Sequence, residues 1–330
     1  MKLKGKCVGF DIGGQDVHIV VRDGSRITRV ITEALPEGIV RDGQIMSFEA
    51  MSDFLKELRK KHKLHVKDAA LVLPARVCYS RRLTTAYMSH EQLQFNLPYE
   101  FRDFLSSNKE DYVYDYAVVD TLKDEEGNPV ELDLMAAAVR KSRMQDYTAM
   151  FHRAGFKLKT AIPEELAYIN LLRQAGVTHG HCLLDLGHNT IRLYMFLGDR
   201  FENVRVIDFG CAALDQAIAE HYNVDIHIAN SYRISDYEGV TSLPECKDIY
   251  NAIAIDVLKA VNFYRFSNQG KEPDHLHCCG GGVKNAELVR ALRANLSLDI
   301  LDMGELLPDM APGLAEDAPL CVAAAGAVMQ

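Results

Sequence analysis

No run in this 330-residue chain approaches the roughly 18 consecutive apolar positions of a bilayer-spanning helix. A basic patch is missing as well. The 37 Lys and Arg are outnumbered by 46 Asp and Glu, for a net charge of −9. That balance argues against nucleic-acid binding, which depends on neutralising phosphates. The eight cysteines include no Cys-x-x-Cys pair, and most lie in apolar runs, where a free thiol behaves as a small hydrophobe. No Ser-His-Asp or Cys-His signature can be assembled, and no Gly-x-Gly-x-x-Gly fingerprint opens the chain. The expectation is a cytosolic protein, not secreted, that folds without disulfides.

What is present is ordinary globular composition, 48% hydrophobic and 25% charged, with enough length for about two domains. Lys6–Ile12, Val17–Arg22 and Ile27–Leu35 read as three strands, the last two joined by the Asp23-Gly24-Ser25 turn. A helix follows from about Ser47, with Phe48, Met51, Leu55 and Leu58 on one stripe. Its end, Arg59-Lys60-Lys61-His62-Lys63, could serve as an anion site but reads better as a solvated terminus favoured by the macrodipole. Ala69–Pro74 is a buried strand.

From Cys78 to Arg140 the pattern changes to strand, helix, strand, strand, which predicts a small inserted α+β module. The capping box Ser89-His90-Glu91-Gln92 opens its helix, and Pro98 is expected to kink or interrupt it. Phe95, Leu97, Phe101, Phe104 and Leu105 form a stripe suited to core packing or to a partner. Helix, strand and helix resume over Lys141–Gln174, and 176–180 reads as a boundary. Beyond it come three strands within Cys182–Asp208, a helix at Ala213–His221 and a helical stretch to about Gln269. His275–Cys279 reads as a buried strand, although His275, His277 and Cys279 would share one face as a three-ligand metal set. The predicted domains are 1–77 with 141–176, the module 78–140, and 177–330, with about 224–257 as a small subdomain.

An internal repeat carries the functional reading. Phe10-Asp11-Ile12-Gly13 and Leu184-Asp185-Leu186-Gly187 share one pattern at an offset of 174 residues. Gly24-Ser25-Arg26 and Gly198-Asp199-Arg200 continue it. Each copy is a strand, a tight turn and a returning strand, so two similar domains with a ligand cleft between them are expected. Glycine lets the turn's N–H groups approach phosphate oxygens, and the aspartate can hold Mg2+ through water. Gly280-Gly281-Gly282 at the end of the 275–279 strand offers a second such surface.

Paired Asp-x-Gly hairpins with a late glycine turn resemble the actin-like ATPase superfamily, an α/β fold of two ribonuclease H-like domains. The inserted module resembles its FtsA-type branch, and within that branch the chain resembles the PilM family of type IV pilus assembly proteins. Supporting stretches are Ile39-Val40-Arg41-Asp42-Gly43-Gln44-Ile45, Tyr87-Met88-Ser89-His90-Glu91-Gln92-Leu93, Asp115-Tyr116-Ala117-Val118, Ala136-Ala137-Ala138-Val139-Arg140-Lys141 and Arg153-Ala154-Gly155-Phe156. The resemblance implies ATP or ADP with Mg2+ near Asp11, Gly13, Gly14, Gln15, Asp185, Gly187, His188, Asn189, Thr190, Gly210, Gly280, Gly281 and Gly282. Asp11 and Asp185 are the implied metal contacts. Asn230 and Arg233 stand in the family's Ala-Glu-x-x-Lys nucleotide element, which here reads Ala229-Asn230-Ser231-Tyr232-Arg233. Gly14-Gln15-Asp16 stands where such proteins carry a hydroxyl residue.

The implied function is a nucleotide-binding cytoplasmic scaffold of type IV pilus or related secretion machinery, at most a slow ATPase. Its implied partner is the cytoplasmic N-terminal peptide of a bitopic inner-membrane assembly protein of PilN type. That partner would hold it at the inner membrane. A small-molecule kinase with the same ATP cleft, with Glu164 or Glu165 as base, and a scaffold that has lost nucleotide binding are the alternatives.

Overall fold

Cys7–Ile12 forms strand β1 because Val8 and Phe10 alternate into a core while its backbone pairs on both sides. The computed structural model describes residues 5–41, 43–105, 108–268, 273, 275–301, 303–307 and 309–329; Asp42 and Gln269 of the stretches above lie outside them. The chain divides into two units, Met1–Leu171 with Ala323–Gln330, and Leu172–Val322.

In the first unit β1 is followed by β2 (Asp16–Asp23), β3 (Arg26–Ala34), the short hairpin β4 (Val40–Arg41) and β5 (Gln44–Ile45), helix α1 (Phe48–Lys61) and β6 (Asp68–Leu73). The module comprises β7 (Cys78–Ala86), α2 (His90–Glu100), β8 (Tyr112–Lys123) and β9 (Pro129–Arg140). Then come α3 (Lys141–Arg153), β10 (Lys157–Pro163) and α4 (Glu164–Ala175). The main sheet has the order β10-β6-β1-β2-β3, with β1 antiparallel to β2 and parallel to β6. Ser47 caps α1 by accepting from the Ala50 amide at 3.2 Å, and Met51, Leu55 and Leu58 are buried against the sheet. Phe10 meets the rings of Phe151 and Phe156 edge-on at 5.0 and 5.1 Å, geometry that adds about 0.5–1.5 kcal/mol per pair beyond area burial.

The module has its own sheet, order β7-β9-β8, and its own core of Leu83, Leu93, Leu97, Phe101 and Leu134. The Ser89–Gln92 capping box is formed, and Pro98 sits in the last turn, two residues before α2 ends. Leu97 and Phe101 of the expected contact stripe are therefore core, while Phe95 and Phe104 are exposed.

The second unit contains β11 (Gly180–Leu186), β12 (Ile191–Leu197), β13 (Arg200–Ile207), α5 (Ala212–Tyr222), α6 (Ile226–Ser235), α7 (Pro244–Ser267), β14 (His275–Cys279), α8 (Ala286–Asn295) and β15 (Asp299–Leu301). Its sheet order is β13-β12-β11-β14-β15. Strand by strand this is the plan of the first unit: three antiparallel strands, then two parallel to the first. The duplication inferred from the repeat is a duplication of sheets. The stretch 224–257 shares the unit's core through Ala229, Val240, Tyr250 and Ile253.

Two boundaries differ from the sequence reading, and the first of them falls at Leu171–Leu172 within α4 rather than at 176–177. Helix α9 (Val322–Ala327) was expected within 177–330, yet from Ala323 onward it belongs to the first unit. The cause is close backbone packing: a Cβ at Gly9 would collide with the Ala324 carbonyl, and one at Gly326 with the Ala167 carbonyl. Asn170 also donates to the Gly326 carbonyl at 3.0 Å.

Candidate functional site

Asp185 is the one half-buried residue of the otherwise buried β11, opposite Arg192 of β12, and Leu186 pairs with Ile191 before the chain turns. Gly187 lies so near the returning strand that a Cβ would stand 2.5 Å from the Thr190 carbonyl oxygen. Gly210 packs on the same turn, where a Cβ would be 2.6 Å from the Gly187 and His188 carbonyl oxygens. Those carbonyls accept the Cys211 and Ala212 amides at 3.2 and 2.8 Å, anchoring the start of α5 on the turn. Gly280 has φ +82°, a conformation that favours glycine. A side chain there would also collide with the Asp185 carboxylate. At Gly282 a Cβ would be 2.6 Å from that of Leu186, whereas Gly281 faces open space. Asp185, Gly187, His188, Thr190, Gly210, Gly280 and Gly282 are thus brought together, with Asn189 exposed at the turn's tip. Gly187 and Gly210 exist here because main chains meet, and Gly280 and Gly282 because Asp185 and Leu186 crowd them; Gly281 has no such structural demand.

Beneath the turn lies a buried ionic knot. Asp215 of α5, 1% exposed, accepts from the Arg233 Nε at 2.5 Å and from the Asn230 amide at 3.0 Å. His188 Nδ1 is 3.8 Å from the same carboxylate. Burial pushes the His188 pKa down against the pull of Asp215. Burial is the largest single influence on Arg233 and opposes its charge, but the Asp215 hydrogen bond and the attraction of that carboxylate together outweigh it and raise the pKa. The Asn230 and Arg233 side chains are engaged by Asp215, a contact the resemblance did not anticipate.

In the first unit Asp11 stands opposite His18, and the Gly13 amide closes the turn on the Asp16 carbonyl at 2.9 Å. Gly14 and Gln15 are exposed at its tip, with the Gln15 carbonyl accepting from the Leu35 amide at 2.7 Å. No group of three or more His, Cys, Asp or Glu is placed to hold a metal among the described residues. His277 instead stacks on His181, with Nδ1 2.8 Å from the His181 Nε2.

A further concavity, of about 340 Å3, lies where the ends of the module meet the β4–β5 hairpin and α3 of the first unit. Gln44, Arg76, Tyr79, Arg140, Arg143 and Asp146 line it. Arg140 rests over the Tyr112 ring and Arg143 over that of Phe48, so their cationic heads are positioned by aromatic faces.

The family model for the type IV pilus assembly protein PilM matches residues 9–310. The chain belongs to that family. It is similar to the solved PilM–PilN type IV pilus biogenesis complex at 18% identity and TM-score 0.81, covering 100% of this chain and 98% of that one. It is also similar to the ethanolamine utilization protein EutJ from Carboxydothermus hydrogenoformans, at 13% identity and TM-score 0.59, covering 99% and 91%. No curated protein matches by sequence. The actin-like α/β fold expected from the paired hairpins is the fold of this family member.

Three parts of these surfaces escaped the sequence reading. Asp215 opens a helix, where an acid is expected for the macrodipole, so its buried role has no linear signal. Arg192 lies 3.8 Å from Asp185 only because of strand register. The arginine-lined concavity joins positions 44, 76, 79, 140, 143 and 146, which no local motif connects.

Proposed function

We propose that this PilM-family chain is an actin-like scaffold of type IV pilus or related machinery, and that its module and the rest of the first unit take the cytoplasmic N-terminal peptide of a PilN-like inner-membrane protein. The observation that carries this reading is the concavity at their junction, in a chain whose family match spans 9–310. Its arginines supply donors for peptide carbonyls, and the exposed Tyr79 supplies apolar surface. Among the described residues no helix is long and apolar enough to cross a membrane, so a protein partner would bring the chain to the inner membrane. Fluorescence anisotropy with a labelled partner peptide tests it. Arg76→Glu with Arg143→Glu should weaken capture at least about tenfold, about 1.4 kcal/mol, and equal capture by that variant would remove the groove from the proposal.

The glycine turn of the second unit is proposed to receive ATP or ADP with Mg2+. The open face of Gly281 leaves room for a flat or phosphate ligand against backbone, and Asp185 at the strand end can hold the ion through water. The Asp11 hairpin is proposed as a phosphate and magnesium contact on the same chemical grounds. Turnover is expected to be slow or absent, with Gln15 of the first hairpin proposed to contact the phosphate rather than to orient water, so phosphate release should stay below about one per second. A thermal shift with millimolar Mg-ATP is the expected result; its absence would favour the scaffold that binds no nucleotide.

A further inference from the structure

We infer that the first unit carries a binding site for a phosphate-ester anion around the loop between α1 and β6, separate from both surfaces already described. The linear sequence shows here the short basic run Arg59–Lys63, and folding brings cations of other elements beside its end. Lys6 before β1, Arg29 of β3, and Lys63, His65 and Lys67 of the connecting loop surround a cavity of about 360 Å3. The macrodipole of α1 explains cations in its last turn, yet Lys6, Arg29 and Lys67 come from other elements. Among the described residues Asp68 is the one carboxylate lining the cavity, and Asp23 lies 3.3 Å from Lys6. Four permanent cations therefore exceed the nearby carboxylates in a protein of net charge −9.

The site is built as well as charged. Arg29 is fixed by donating to the His62 carbonyl at 2.6 Å, while Lys61 and His62 are held by Glu33 at 2.7 and 2.6 Å. Lys63 adopts φ +50°, where a helix end ordinarily takes glycine or asparagine, and the turn continues into His65 and Lys67 at the cavity. Val21, Leu64 and Val66 give the cavity an apolar wall. Cationic rim and apolar wall together suit a phosphate ester with a short hydrocarbon or glycerol part. That group is offered by an anionic phospholipid or by a free phosphate ester.

The full-length chain is tested by co-sedimentation with phosphatidylcholine vesicles containing phosphatidylglycerol, with pure phosphatidylcholine vesicles as reference. Calorimetry with soluble glycerol phosphate forms the second arm. Binding to the anionic vesicles alone assigns the lipid, and binding to glycerol phosphate assigns a free ester. In either arm Lys63→Glu with Lys67→Glu should lower affinity by at least about tenfold, since each lysine near an anionic surface counts substantially. Lys63→Arg with Lys67→Arg should retain binding, as should the charge-matched pair Lys247→Glu with Lys259→Glu on α7. No binding in either arm overturns the inference, and so does an equal loss in the α7 pair.

Discussion

Asp11 and Asp185 hold the same register position in two separate sheets: Asp11 faces His18 across β1 and β2, and Asp185 faces Arg192 across β11 and β12. The offset of 174 residues that relates the aspartates also relates the residues opposite them. The two positions nevertheless differ in charge. Arg192 lies 3.8 Å from the Asp185 carboxylate, whereas the His18 ring is 3.2 Å from the Thr32 hydroxyl. Asp11→Ala and Asp185→Ala should each weaken Mg-nucleotide binding by about tenfold or more, about 1.4 kcal/mol. Titration calorimetry with and without Mg2+ checks the roles. A variant whose affinity loses its magnesium dependence identifies the aspartate that serves the ion, and unchanged affinity in both removes the pair from the site.

The glycine turn separates folding from ligand approach. Gly282→Ala places a Cβ 2.6 Å from Leu186 and 3.2 Å from the Cys211 sulfur, an overpacking that costs about 1–3 kcal/mol. Gly281→Ala meets open space and should change stability by less than about 0.5 kcal/mol. If nucleotide lies on this turn, Gly281→Ala weakens its binding while the unfolding midpoint stays put. Unaltered nucleotide affinity in Gly281→Ala would move the ligand elsewhere.

Asp215 should matter more to folding than its place on a surface helix suggests. Asp215→Ala leaves the Arg233 guanidinium, only 12% exposed, without its carboxylate. Breaking a buried pair on one side costs about 3–5 kcal/mol. Urea denaturation should show that loss, and Asp215→Asn should recover part of it by keeping an acceptor. A change under about 1 kcal/mol in Asp215→Ala would show that water compensates the arginine.

How far the sequence could be read follows from which interactions are local. The long strands read in both units, the capping box at Ser89 and the buried stripe of α1 are written in short-range patterns and are present, whereas the two-residue strands of the β4–β5 hairpin were not read. The repeat disclosed the fold because duplication preserves spacing. Contacts between distant segments left no such trace: Gly9 with Ala324, Asp215 with Arg233, and Lys6 beside Lys67 depend on how the chain returns. The position of α9 was misassigned for that reason. Its alanines carry no local mark of a partner, and the glycines at 9 and 326 show which unit it packs on.

The paired histidines predict acid sensitivity. Burial, reinforced by the neighbouring His277, pushes the His181 pKa from its usual 6.5 down to about 3. The unfolded chain takes up a proton below about pH 6.5 that the folded chain refuses until about pH 3. Stability from this group is thus complete above pH 6.5 and declines as pH falls toward 3. His181→Asn should flatten that decline in denaturation series between pH 7 and pH 4. Parallel curves for the two proteins would assign the acid sensitivity to other groups.

The module can be removed without tearing the first unit, because Cys78 and Val139 are register partners where the chain enters and leaves it. Both side chains are buried in the first unit's core, so they must be kept. Excising 79–138 and joining the ends through Gly-Ser-Gly removes Tyr79, the module sheet and α2, while Arg76, Arg140 and Arg143 remain. The proposed groove then loses one wall. A peptide that buries a few apolar side chains there, at about 1.5–3 kcal/mol each, would no longer offset its ordering cost. Capture of the partner peptide should fall below detection, while the glycine turn of the second unit, which shares no residue with the excised segment, keeps its nucleotide affinity. Circular dichroism and a cooperative melt establish that the shortened chain is folded before either assay. If the folded, shortened protein captures the peptide as the parent does, the module is not the wall of the peptide site.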